Sequence, residues 1–170
     1  MRKLTIVVLT ALALATGTAA AQSPYSIGVS LAYTVFPLPI PLVGVHVGFE
    51  NLIAKDVGLR LNLSGIAFGV DGGWFAGGTA GTDVIWQLPA GGAAAVQPYA
   101  GGGAGLLFAG GGSGADLGIE LAPYVGGVAG VSVPLEDLSV FVEVRGNAAF
   151  GFFGLSPWWL SLAVGLAFGL

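Results

Sequence analysis

Large apolar residues recur at every second position along most of this chain, and that period of two restricts its fold more than any other feature. Residues 57–64 read VGLRLNLS: Val57, Leu59, Leu61 and Leu63 alternate with Gly58, Arg60, Asn62 and Ser64. Side chains on a β-strand point alternately to its two faces, so such a segment has one bulky face and one small or polar face. Residues 25–36 repeat the pattern, with Tyr25, Ile27, Val29, Leu31, Tyr33 and Val35 against Ser26, Gly28, Ser30, Ala32 and Thr34. So do Val43 to Glu50, Leu138 to Arg145 and Trp158 to Leu170. Between Leu117 and Val133 the even places hold Gly118, Glu120, Tyr124 and Gly126.

Turn-like breaks fall at 36–41 (FPLPIP), 53–56 (IAKD), 70–73 (VDGG), 89–94 (PAGGAA), 110–114 (GGGSG), 134–137 (PLED) and 153–158 (FGLSPW). Seven breaks delimit eight strands of about 10 to 15 residues, the length a tilted membrane-crossing strand needs. The apolar parity slips at Ile66–Val70, which a bulge near Gly65 would explain. The fourth strand, carrying FAGGTAGTDV, has the weakest pattern.

Composition decides which face is outside. Only 8% of the 170 residues are charged and 55% are hydrophobic, with a mean hydropathy of +0.88. A soluble domain is about one quarter charged. A water-soluble barrel with an apolar core would need a charged outer face, but the small face here is mainly glycine, alanine and serine. The opposite arrangement fits: the bulky face meets hydrocarbon, and the small face lines a narrow interior. An eight-stranded barrel has room inside only for side chains, so glycines would leave space for Tyr99, Tyr124, Phe141 and Trp159. Closure also pairs every backbone group, as a bilayer requires. A helical span over 150–170 is the rival, opposed by Pro157, by the glycines and by the period of two.

The first 21 residues read as a secretory signal peptide: Arg2 and Lys3, the apolar run LTIVVLTALALA, then small residues before a cut after Ala21. That leaves residues 22–170 as one transmembrane domain. Without Arg2 and Lys3, three basic residues stand against nine acidic ones, 3 − 9 = −6, which opposes nucleic acid as a partner. There is no cysteine, so no disulfide contributes to stability.

With the N-terminus in the periplasm, outward-facing Tyr25, Phe49, Trp86 and Phe168 gather at the periplasmic rim. Phe36, Trp74, Phe108, Phe152 and Trp158 gather at the external rim. Two aromatic girdles mark the two interfaces of a membrane barrel. With the alternation, these features resemble the small outer-membrane β-barrels of the OmpA/OmpX type over residues 22–170. The resemblance implies an all-β, eight-stranded, antiparallel up-and-down barrel, monomeric, in contact with membrane lipids, and delivered by the outer-membrane insertion machinery. Such proteins commonly end in an aromatic residue; this one ends LAFGL, with Phe168 third from last. They usually carry long external loops, and here the loops read as very short, which weighs against adhesion.

Arg60 at mid-membrane would cost about 2–4 kcal/mol facing lipid, so it points inward and needs partners. Glu120, Glu143 and Arg145 share the inner face, and strands three and seven lie opposite each other, so Arg60 and Glu143 are expected to meet across the lumen. Gly126 is expected to leave space opposite Arg145. The expected result is an ion-pair cluster that plugs the barrel; separately hydrated charges in a wet channel are the alternative.

His46 is the sole histidine. Simple hairpin registers set it in an inner row Ser30–His46–Arg60, a pairing that raises a lipid hydrolase. No third orienting group follows from spacing, so a hydrogen-bonding role is expected, with no catalytic residues. One histidine and no cysteine support neither a metal site nor a cofactor, and the glycine run at 101–114 never completes a phosphate-binding motif. The reading is a structural or envelope-maintaining barrel; a small pore or conduit for small or apolar molecules is the second.

Overall fold

The computed structural model describes residues 25–36, 39–70, 72–89, 96–113, 116–135 and 138–169. The expected signal peptide and its cleavage site lie outside the described residues. Eight strands follow in order: β1 Tyr25–Phe36, β2 Ile40–Ala54, β3 Val57–Val70, β4 Gly73–Gln87, β5 Gln97–Ser113, β6 Asp116–Leu135, β7 Leu138–Ala149 and β8 Trp158–Gly169. Each pairs antiparallel with the next, and β8 pairs with β1 to close the barrel. The bulky positions Leu31, Val45, Leu63, Val84, Leu106, Val125, Val144 and Val164 all face outward and are exposed. The alternation therefore works as the sequence implies.

Registers fix the tilt. Starting at Tyr25, direct partners run through Phe49, Leu59, Val84, Gly102, Gly127, Gly146 and Leu160 back to β1 at Phe36. The path returns 36 − 25 = 11 residues up β1, and one of these is absorbed by the irregularity between Thr34 and Phe36. Ten residues of stagger over eight strands correspond to a tilt of about 40°. The climb from Tyr25 to Phe36 is then about 25 Å, the height of the apolar band of a membrane barrel.

Two expectations about the chain path need correction. No bulge occurs near Gly65, since β3 and β4 pair without interruption from Val57↔Trp86 to Val70↔Gly73. The parity slip is chemical: Ile66 and Phe68 turn to the inner face, where Phe68 packs on Phe75 with ring centroids 5.3 Å apart. The irregularity lies instead between Phe49 and Ala54 of β2. There Asn51 adopts φ 55°, and its side-chain oxygen accepts a 2.8 Å hydrogen bond from the Asp56 N–H. Finally, Gly110–Ser113 belong to β5 and pair with β6, so the run GGGSG is largely strand.

The two ends differ in shape. β1, β7 and β8 have 12 residues each, whereas β5 has 17 and β6 has 20. β6 pairs with β7 only from Tyr124 downward. With the rise and tilt above, the β5–β6 tip stands roughly 15 Å higher than the neighbouring β7–β8 edge.

Candidate functional site

The interior is assembled from side chains laid over glycines. A residue and its direct cross-strand partner face the same way, so an inward glycine opens space for the side chain opposite it. His46 lies over Gly28, Asp83 over Gly103, Tyr99 over Gly130, Tyr124 over Gly105, Phe141 over Gly165 and Asn147 over Gly126; each pair is in register. A Cβ on Gly130 would stand 2.7 Å from the Tyr99 ring, and one on Gly105 would stand 2.8 Å from that of Tyr124. These are separations no real Cβ adopts, so glycine is required for the ring to lie flat. Gly126 thus accommodates Asn147; Arg145 is paired with Val128, contrary to the expected Gly126–Arg145 match.

At the centre, four charges form a ring. Arg60 on β3 donates from Nη1 to Glu143 Oε2 on β7 at 2.8 Å and from Nη2 to Asp83 Oδ2 on β4 at 3.3 Å. Arg145 on β7 donates to both Asp83 oxygens, at 2.7 and 3.1 Å. It also lies 3.5 Å from Glu143 Oε1. Two guanidiniums and two carboxylates alternate, so the ring carries no formal net charge. Asn62 donates to Asp83 at 3.0 Å and the Tyr99 hydroxyl to Glu143 at 2.9 Å. The Arg60 guanidinium also sits 5.8 Å from the centroid of the Tyr99 ring. Bidentate Arg–carboxylate geometry gives both energy and orientation, and several bonds on each carboxylate offset the cost of confining it. The side chains of Arg60, Asp83 and Glu143 are at most 10% exposed.

Asp83 was not among the residues singled out from the sequence. It sits in the weakly patterned fourth strand, and its inner parity beside Arg60 was the one available signal; Arg60 and Asp83 are direct partners. Glu120 was expected in the cluster and is not there. It lies near the tall end of β6, opposite Ala109, and accepts a 3.2 Å bond from the Phe153 N–H.

The expected row Ser30–His46–Arg60 does not form. Gly28 and Asn62 flank His46, Ser30 pairs with Gly44, and Arg60 pairs with Gly48. The His46 ring packs edge-on against Phe141 at 5.2 Å. Two cavities meet at the ring, one of about 160 Å³ toward the end with the chain termini and one of about 50 Å³ toward the far end. His46 and Arg60 line both. The larger is polar at its mouth, with Glu50, Asn51, Asp56, Gln87 and Gln97. No group of three or more potential metal ligands occurs among the described residues.

Of the aromatic residues, Tyr25 and Phe49 pack edge to face at 5.8 Å at the terminal end. Phe168 lies beside Ile27 and Trp86 beside Val57 at the same end. Trp158 begins β8 and Phe36 ends β1 at the far end. Trp74 and Phe108 occupy that half of β4 and β5, and Phe152 belongs to the β7–β8 loop, bridged to Leu155.

No protein-family model matches the chain, and no curated protein matches it in sequence. Solved structures do match in fold. Neisserial surface protein A superposes with a TM-score of 0.66 at 14% identity, over 86% of this chain and 94% of its own. The N-terminal β-barrel domain of Pseudomonas aeruginosa OprF gives 0.58 at 19% identity, over 86% and 98%. The attachment invasion locus protein Ail of Yersinia pestis gives 0.53 at 13%, over 88% and 98%. The fold is that of the small eight-stranded outer-membrane barrels.

Proposed function

We propose that this protein is a monomeric outer-membrane barrel with a structural, envelope-maintaining role, its lumen closed by the Arg60–Asp83–Arg145–Glu143 ring. Its outer wall contacts membrane lipids, and it reaches the outer membrane through a cleaved signal peptide and the barrel-insertion machinery. One observation carries this reading: Arg60 spans from β3 to Glu143 on the opposite wall at 2.8 Å, so the charged ring crosses the passage instead of lining it. The predominantly apolar outer face and the fold shared with outer-membrane barrels support the location.

The test is electrical. Purified protein in planar bilayers should show essentially no single-channel conductance. A variant with Arg60, Asp83, Arg145 and Glu143 all changed to alanine keeps the formal charge and should conduct. Conductance steps in the unaltered protein would overturn the closed lumen. They would favour the second reading, a small pore, which the cavities on both sides of the ring support. A folded barrel should also migrate differently on a denaturing gel before and after heating.

A further inference from the structure

The tall side of the barrel and the loop beside it form one apolar sector above the β7–β8 edge. On β6, Ile119 and Leu121 face outward at 61% and 60% exposure. The loop at 150–157 adds Phe153 at 66% and Leu155 at 68%. This loop is fixed to β6: the Phe150 N–H donates to the Pro123 carbonyl at 2.9 Å, and the Phe153 N–H to Glu120 at 3.2 Å. The carboxylate nearest the sector is therefore turned onto a backbone amide. From Gly146 to Leu170 the chain has no charged residue.

The tip is strained in a specific way. Phe153 and Gly154 have φ of 48° and 73°, and the Leu155 N–H closes the turn on the Phe152 carbonyl at 2.9 Å. Two successive positive φ angles suit asparagine and glycine, and a bulky aromatic there is an outlier. An outlier of this kind signals that the side chain does something at that place. An exposed phenylalanine held on an unfavourable backbone, beside other exposed apolar residues, needs an apolar surround.

The geometry points to the hydrocarbon of the outer leaflet as that surround: the Phe150–Leu155 loop and the upper outer face of β6 lie within lipid. The sector then extends the lipid-facing wall above the β7–β8 edge, and the barrel is seated asymmetrically, with one side immersed more deeply. Continuity favours lipid over a protein partner, because Ile119 and Leu121 prolong the outward row of β6 that contains Val125, and the Glu120 carboxylate beside them is taken up by the Phe153 amide. This inference rests on the membrane reading above.

The chain has no cysteine, so single cysteines can be labelled cleanly. Nitroxide labels at Phe153→Cys, Leu121→Cys, Val164→Cys and Gln97→Cys would be compared in dioleoylphosphatidylcholine vesicles by collision with oxygen and with a neutral nickel chelate. The expected result is an oxygen-to-nickel ratio at 153 and 121 like that at 164, and several-fold above that at 97. Ratios at 153 and 121 equal to that at 97, with 164 still in lipid, would overturn the inference and leave the membrane reading standing. Exclusion of both probes at 153 and 121, indicating burial against a second copy or another protein, would overturn it too. A water-exposed label at 164 would remove the membrane reading itself. The variant Phe153→Asn suits the turn, so it should fold; with it, a label at Leu155→Cys should shift toward water.

Discussion

Removing the Asp83 carboxylate should strongly destabilise the barrel. Asp83 accepts four bonds, two from Arg145, one from Arg60 and one from Asn62. In Asp83→Leu, Arg60 keeps its 2.8 Å partner Glu143, but Arg145 retains only Glu143 at 3.5 Å. Breaking a buried ion pair from one side costs about 3–5 kcal/mol. Arg145 is 16% exposed and borders a cavity, so the lower end applies, about 3 kcal/mol, or roughly a hundredfold in the unfolding equilibrium. Arg145→Leu should cost about as much, because it leaves Asp83 with Arg60 at 3.3 Å and leaves the ring one positive charge short. The double variant restores neutrality, since Arg60 and Glu143 remain paired. Replacing a buried pair with apolar side chains is often neutral, so it should cost far less than the sum of the singles. Urea unfolding in detergent micelles, followed by tryptophan fluorescence, completes the cycle. Additive single and double costs, or singles below about 0.5 kcal/mol, would refute the argument that these charges depend on each other.

Further outcomes follow from particular contacts. Tyr99→Phe removes a hydroxyl that donates to Glu143 at 2.9 Å and should destabilise by about 1.5–3 kcal/mol, the worth of a hydrogen bond to a charged group, in the same urea assay. Gly28→Ala places a methyl against the His46 ring and should cost about 1–3 kcal/mol; adding His46→Ala should recover most of it. Val164→Arg, on the outer wall midway between Trp158 and Phe168, should cost about 2–4 kcal/mol for refolding into bilayers, whereas Trp158→Arg at the rim should cost about 0–1 kcal/mol. Equal costs at the two positions would contradict a bilayer centred on the wall.

The sequence determined the strands and their facing, because side-chain direction on a strand depends only on the position of a residue relative to its neighbours. That is why Leu59, Arg60 and Leu61 could be assigned to opposite faces without any tertiary information. The wide separation of Arg60 and Glu143 was also bridgeable from strand order, since strands three and seven of eight face each other. The tertiary structure decided register. An uninterrupted ladder from Ala54↔Val57 would set His46 opposite Gly65; the four residues between Phe49 and Ala54 of β2, against one between Val57 and Leu59 of β3, set it opposite Asn62 instead, and neither register pairs it with Arg60. The stagger of ten residues set the heights of all inner rows, bringing Asp83 to the ring and leaving Glu120 at the far rim. Facing is local and was written in the alternation; which charges meet depends on closing the sheet, which no single stretch of chain specifies.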